Sequence, residues 1–315
     1  MPLSAADGPP GPRAATSRAS CAPFQRGYEA LGALSTSGQR PNLLGMSEET
    51  IDTVYLIGTG AESNPWEAVL KAISGLEMRG LGDPTQVTKA EGAVTYFRAL
   101  VHGRREALRM ASMPGMKRQD KAVFDKAYRD LTKAHVALKK EIAENLRAAR
   151  AGGSMKLRDG FLSYVTARPG TRALLTTNWD LLLEGALKTS GFDPNKVRHL
   201  HGHIDEPELM LLPGEIIDEP YRSAAHAKKM QWSIKPMWKV FEAAQSLVIY
   251  GHSLSGVEAE LGTALWLGFS EHPGRPEIRI VNRSKKDARI VADRLRPLLP
   301  AGPKPWKIAC EKGQL

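Results

Sequence analysis

Ile51-Asp52-Thr53-Val54-Tyr55-Leu56-Ile57-Gly58-Thr59-Gly60 is the stretch on which the fold turns. Regular patterning begins at Ile51, and Thr53–Ile57 is apolar enough to be a strand buried on both faces, as parallel strands are. It runs into a Gly58-Thr59-Gly60 turn, and a helix is predicted over Pro65–Ser74, with Pro65 tolerated in its first turn. Glycines after a buried strand let the backbone turn sharply and approach a pyrophosphate. The third glycine of the dinucleotide fingerprint is absent, Ser63 standing in its place, so this turn alone is also compatible with a purely geometric role.

Strands and helices alternate further along. Strands are expected at Arg172–Thr177, Val197–Gly202, Glu208–Leu212, Ser246–Tyr250, Glu277–Val281 and Lys307–Cys310. Helices are expected at Leu181–Lys188, Pro236–Ala244, Glu258–Phe269 and Lys285–Leu298. This pattern predicts an α/β fold, a doubly wound Rossmann-like parallel sheet with ligands beyond the carboxyl ends of its strands. A helical insertion is expected over about residues 86–165. Within it Phe124, Ala127, Tyr128, Leu131, Ala134, Leu138, Ile142 and Leu146 mark a long amphipathic helix, Lys117–Arg150. Its apolar stripe needs a partner, either the α/β core or a second copy. Ten Lys or Arg against five Asp or Glu make it a place for homo-oligomerisation or for an anionic or protein regulator.

Residues 1–45 are rich in Pro, Gly, Ala and Ser and are expected to be a disordered extension, with Met46 an alternative start. The remainder, 46–315, is expected to be one domain. Among the 315 residues, 42% hydrophobic and 25% charged are ordinary for a soluble protein, and no apolar run approaches a membrane span. Cys21 and Cys310 cannot build a four-cysteine zinc module and fit a reducing cytoplasm. A net charge of +10 favours anionic partners, nucleotide cofactors included, or reflects a generally basic surface.

Four further clusters fall at predicted strand ends. Thr176-Thr177-Asn178-Trp179-Asp180 offers an amide and a carboxylate for a ligand, or a cap for the next helix. His199, His201 and His203 alternate, which raises a metal site with Asp205, structural histidines, or a general base. Gly251-His252-Ser253-Leu254-Ser255 imitates the nucleophile elbow of serine hydrolases. Ser255 replaces the small fifth residue, however, and His272 precedes Asp287 and Asp293, against the usual triad order. Asn282 ends the strand Glu277–Val281, where an amide could reach a ribose or cap a helix.

Taken in order, Gly58-Thr59-Gly60, Thr177-Asn178-Trp179-Asp180, His201-Gly202, Gly251-His252-Ser253 and Asn282 resemble the motifs of the sirtuin superfamily. The likeness spans most of residues 51–290 outside the insertion. It implies NAD as substrate, with Gly58, Thr59, Gly60 and Ala61 cradling the pyrophosphate. Asn178 is implied to contact the nicotinamide ribose and orient water, Asp180 to hold the carboxamide, and His201 to act as the base. Gly251, Ser253 and Asn282 are implied to bind the adenosine end. The missing zinc ribbon, the Ser63-Asn64-Pro65-Trp66 segment and Thr177 depart from the deacylase pattern. They point to the divergent zinc-free prokaryotic branch, whose members resemble NAD hydrolases of antiphage defence. The expectation is therefore an NAD glycohydrolase. The alternatives are a catalytically silent NAD or ADP-ribose binding module and a serine hydrolase using Ser253.

Overall fold

The computed structural model describes residues 51–75, 84–167, 170, 172–190, 197–215, 237–255, 259–270, 272, 274–301 and 305–313. The expected extension 1–45 and the Met46 start lie outside them. All described residues belong to one compact unit, Glu48–Leu315.

Six strands form one sheet: β1 (Ile51–Ile57), β2 (Arg172–Thr176), β3 (Val197–His199), β4 (Ala244–Tyr250), β5 (Glu277–Asn282) and β6 (Ile308–Lys312). The order is β3-β2-β1-β4-β5-β6, and every neighbouring pair is parallel. This is the doubly wound, Rossmann-like arrangement, and its order reverses between β1 and β4. Tyr55, Ile57, Leu174, Val248, Tyr250 and Val281 share one buried face. That face packs on Phe161 and Val165 of α4 (Asp159–Thr166) and on Leu183 and Leu187 of α5 (Leu182–Thr189).

Between β1 and β2 the chain forms α1 (Pro65–Ser74), α2 (Ala90–Ala111) and α3 (Arg118–Ala151) before α4. At 34 residues, α3 is ~51 Å long at 1.5 Å per residue. Leu138, Ile142, Ala143 and Leu146 from its second half are buried with Val69 and Ile73 of α1 and Phe97 and Leu100 of α2. Each large apolar side chain so buried stabilises the docking by ~1.5–3 kcal/mol. The second half of the apolar stripe is thus covered within the chain. Ile204, Met210 and Leu212, from the segment after β3, join the same cluster.

Three expectations need correction. Glu208–Leu212 is not a strand: Pro207–Leu209 is a 3-10 turn, because Pro207 cannot donate to a ladder. β3 stops at His199 rather than Gly202, since Gly202 sits at φ +72 and the chain turns there. His199, His201 and His203 therefore do not share one strand face. The helix from Lys285 ends at Leu295 as α7 and tightens to a 3-10 turn over Arg296–Leu298, where Pro297 removes an amide donor. A further helix, α6, covers Ala259–Ser270.

Candidate functional site

Because all six strands are parallel, the carboxyl ends of β1, β2, β3, β4 and β5 meet on one edge of the sheet. The residues that the sirtuin resemblance points to sit at or just beyond that edge, most of them in two groups.

The first group lies at the order reversal. Gly58 N–H donates to Tyr250 O at 3.0 Å and Gly60 N–H to Gly251 O at 2.8 Å. A Cβ on Gly60 would meet Gly251 O at 2.6 Å, and one on Gly58 would meet the His252 Cα at 2.7 Å. Gly251, at φ +59, would in turn press a Cβ against Ala61 N at 2.6 Å. These glycines let two backbones touch with no side chain between them. Ala61 and Glu62 N–H also bond inside the turn, to Gly58 O and Thr59 O, so four of its amides already have partners. Asn282 Nδ2 reaches His252 O at 3.4 Å, tying the end of β5 to the same place. Ser253 is exposed, and its carbonyl accepts from Arg294 Nη1 at 2.9 Å. The left-handed backbone angles fall on Gly251 and Leu254, not on Ser253, whereas a nucleophile elbow strains the serine itself.

The second group is a buried polar cluster at the ends of β1, β2 and β3. Asn178 donates from Nδ2 to Glu62 Oε1, and Asp180 Oδ1 accepts from Leu182 N–H at 2.9 Å, opening α5. His199 contacts the Asn178 carbonyl through Nδ1 at 2.8 Å and Glu184 through Nε2. Since a carbonyl only accepts, Nδ1 carries a proton, and a second proton on Nε2 completes both bonds. Glu62, Asn178 and Asp180 are only 2%, 5% and 4% exposed. Burial first, then the neighbouring Asp180 charge, holds the Glu62 carboxyl well above the ordinary glutamate range. Burial likewise raises Asp180, outweighing the Leu182 amide and His199, which act the other way. For His199, burial favours the neutral ring, but the Glu184 bond and charge and the Asn178 carbonyl together raise it.

No protein-family model, curated protein or solved structure matches this chain.

His201 follows β3 on the same edge, buried, with its carbonyl accepting from Leu211 N–H at 2.8 Å. Among the described residues no three His, Cys, Asp or Glu side chains converge as metal ligands. Glu62 and Glu184 were not among the residues picked from the sequence, yet both are bonded into the cluster. Glu62 is fixed because its strand-like segment is clamped: Ser63 N–H donates to Lys156 O, Arg158 N–H to Ala61 O and Arg158 Nε to Glu62 O, at 2.9–3.0 Å. The cluster thus offers a fixed amide, a pair of adjoining carboxyls and a charged histidine, all withdrawn from water. That set keeps open acceptor oxygens beside a histidine whose charge is directed at Glu184.

Proposed function

We propose that this chain is an NAD glycohydrolase that releases nicotinamide and ADP-ribose. The observation that supports the reading is that buried Asn178, Asp180 and His201 follow β2 and β3 at the carboxyl edge of a sheet whose order reverses beside Gly58–Ala61. These are the positions that the sirtuin resemblance implies, and the reversal is where doubly wound sheets take dinucleotides.

In this reading the pyrophosphate lies over the Gly58–Ala61 turn, away from the buried carboxyls, and the nicotinamide ribose enters the polar cluster. Breaking the C1′–N1 bond sends its electron pair to the pyridine nitrogen and leaves positive charge on the sugar. Asp180 and its neighbours favour that charge, and they favour it more in a water-poor site. Water adds at C1′ and gives a proton to His201, a base at a typical contribution of ~10²–10⁴-fold. Gly251, Ser253 and Asn282 hold the adenosine end. Cytoplasmic location, a role in defence, self-association and control by an anionic or protein regulator belong to the same proposal. The surface for assembly is the outer half of the α2–α3 hairpin, where Met113 and Val123 are 44% and 65% exposed.

The test is nicotinamide release from NAD by purified protein, its His201→Ala variant and its Asn178→Ala variant. The expected outcome is turnover in the parent and a loss of ~10²–10⁴-fold in His201→Ala with NAD binding retained. NAD bound but intact at all conditions would make the chain a binding module, and no binding would remove the reading.

A further inference from the structure

Three buried oxygens in the cluster stand without a hydrogen-bond partner: Asn178 Oδ1, Glu62 Oε2 and Glu184 Oε2. The Asn178 amide is not free to exchange its ends, because Nδ2 is committed to Glu62 Oε1. Glu62 itself is 2% exposed, and its backbone is clamped by Lys156–Arg158. A buried acceptor left open costs about 1–3 kcal/mol unless something donates to it. Such an atom, held rigidly at the ligand-binding edge of a doubly wound sheet, marks where a ligand's donor belongs.

We propose that Glu62 is the positioning residue of this site: by accepting from Asn178 Nδ2 it turns Asn178 Oδ1 toward the ligand as an acceptor for a hydroxyl, amide N–H or water. This rests on the proposed NAD chemistry for the ligand's identity but not for the geometry. Glu62 acts through Asn178 and need not touch the substrate. Its second oxygen is satisfied when a proton on the Glu62 carboxyl bridges to Asp180, whose carboxylate lies within hydrogen-bond reach. Burial and the Asp180 charge, which raise Glu62, keep that proton in place. The pair therefore carries one negative charge rather than two, like other close carboxyl pairs. An acceptor-rich cluster bearing a negative charge favours a sugar hydroxyl or carboxamide over phosphate.

The test compares parent, Glu62→Gln and Glu62→Ala, each checked for folding by circular dichroism. The Asn178 side-chain amide is followed by NMR, with its signal assigned by its loss in Asn178→Asp. Slow exchange with solvent is expected in the parent and in Glu62→Gln, whose amide oxygen still accepts from Nδ2 and whose N–H₂ replaces the bridging proton. Fast exchange is expected in Glu62→Ala. Nicotinamide release should fall ~10²-fold in Glu62→Ala, the size of a misplaced group, and stay within about threefold of the parent in Glu62→Gln. Glu62→Gln should also lose the decline at high pH that ionisation of Glu62 imposes on the parent rate. An Asn178 amide equally protected in Glu62→Ala overturns the proposal, as does full activity of that variant. A parent that never cleaves NAD, but whose Asn178 amide depends on Glu62, rejects the NAD reading and leaves the positioning intact.

Discussion

Lys139→Met should expose how much the helical hairpin depends on one buried charge. Lys139 Nζ lies 2.7 Å from Glu215 Oε1, and their side chains are 4% and 1% exposed. Glu215 also accepts from Leu212 N–H at 2.9 Å and has His135 Nε2 3.3 Å from Oε2, while Arg104 Nη1 meets His135 Nδ1 at 2.7 Å. Burial would raise Glu215, but the Lys139 charge and the His135 contact hold it far below the carboxylate range. Removing one partner of such a pair costs ~3–5 kcal/mol, because a charge is left buried. The Leu212 amide and His135 remain, so the low end applies: about 3 kcal/mol, or ~6–12 °C in Tm for a unit of this size. The pH dependence sharpens the test. Burial first, and then the Lys139 and Arg104 charges, hold His135 below its ordinary 6.5 despite Glu215. A lowered histidine stays neutral when folded, so the parent loses stability as pH falls below that value. Without Lys139, His135 gains by accepting a proton beside Glu215, and the deficit of the variant should shrink between about pH 7.5 and 5.5. Lys139→Met with Glu215→Leu should recover most of the loss, since neither charge is then stranded. Chemical denaturation across this pH range measures all three. A single-variant cost under ~1 kcal/mol, or a double variant that simply adds the two losses, would refute the reasoning.

Other consequences are as direct. Gly60→Ala should destabilise the fold by ~1–3 kcal/mol, because its Cβ would meet the Gly251 backbone, which has little room to yield; an unchanged urea midpoint would show that the two turns separate easily. Glu62 has a folded value raised above its ordinary 4.5, so the parent should lose stability as pH climbs from there through the folded value, and Glu62→Gln should flatten that slope and melt higher at pH 7. Ser253→Ala should raise KM for NAD a few-fold with kcat little changed; a collapse of ester hydrolysis that His201→Ala leaves intact would favour the serine-hydrolase alternative.

The sheet was legible because its strands are short apolar runs bounded by glycines or polar residues, and burial on both faces leaves no other use for TVYLI or SLVIY. Asn178, Asp180 and His201 were legible for a local reason: each closes or follows such a run. Glu62 and Glu184 were not, since an acid in the first turn after a glycine loop or in a helix start reads as solvated. Only the approach of β1, β2 and β3 buries Glu62 against Asn178 and brings His199 to Glu184. The network of α3 did leave a trace. His135 and Lys139 are four residues apart and fall on the stripe of Leu138, Ile142 and Leu146, so a lysine there was facing inward. What the sequence withheld was the partner, Glu215, which stands 76 residues away.

The placement of β1 has a bearing on how the chain is made. β1 is central, yet both its neighbours come much later: Thr53 pairs in register with Arg172 on one side and Ser246 on the other, the latter 193 residues on. On a ribosome adding ~5–20 residues per second, β1 emerges first and waits tens of seconds for its second edge to close. During that interval an apolar strand with open edges invites pairing with other chains. The α2–α3 hairpin, whose contacts are local, is complete before β2 is synthesised and can fold quickly. Docked on α1, it would give the nascent β1 segment a folded neighbour while the sheet is still one strand wide.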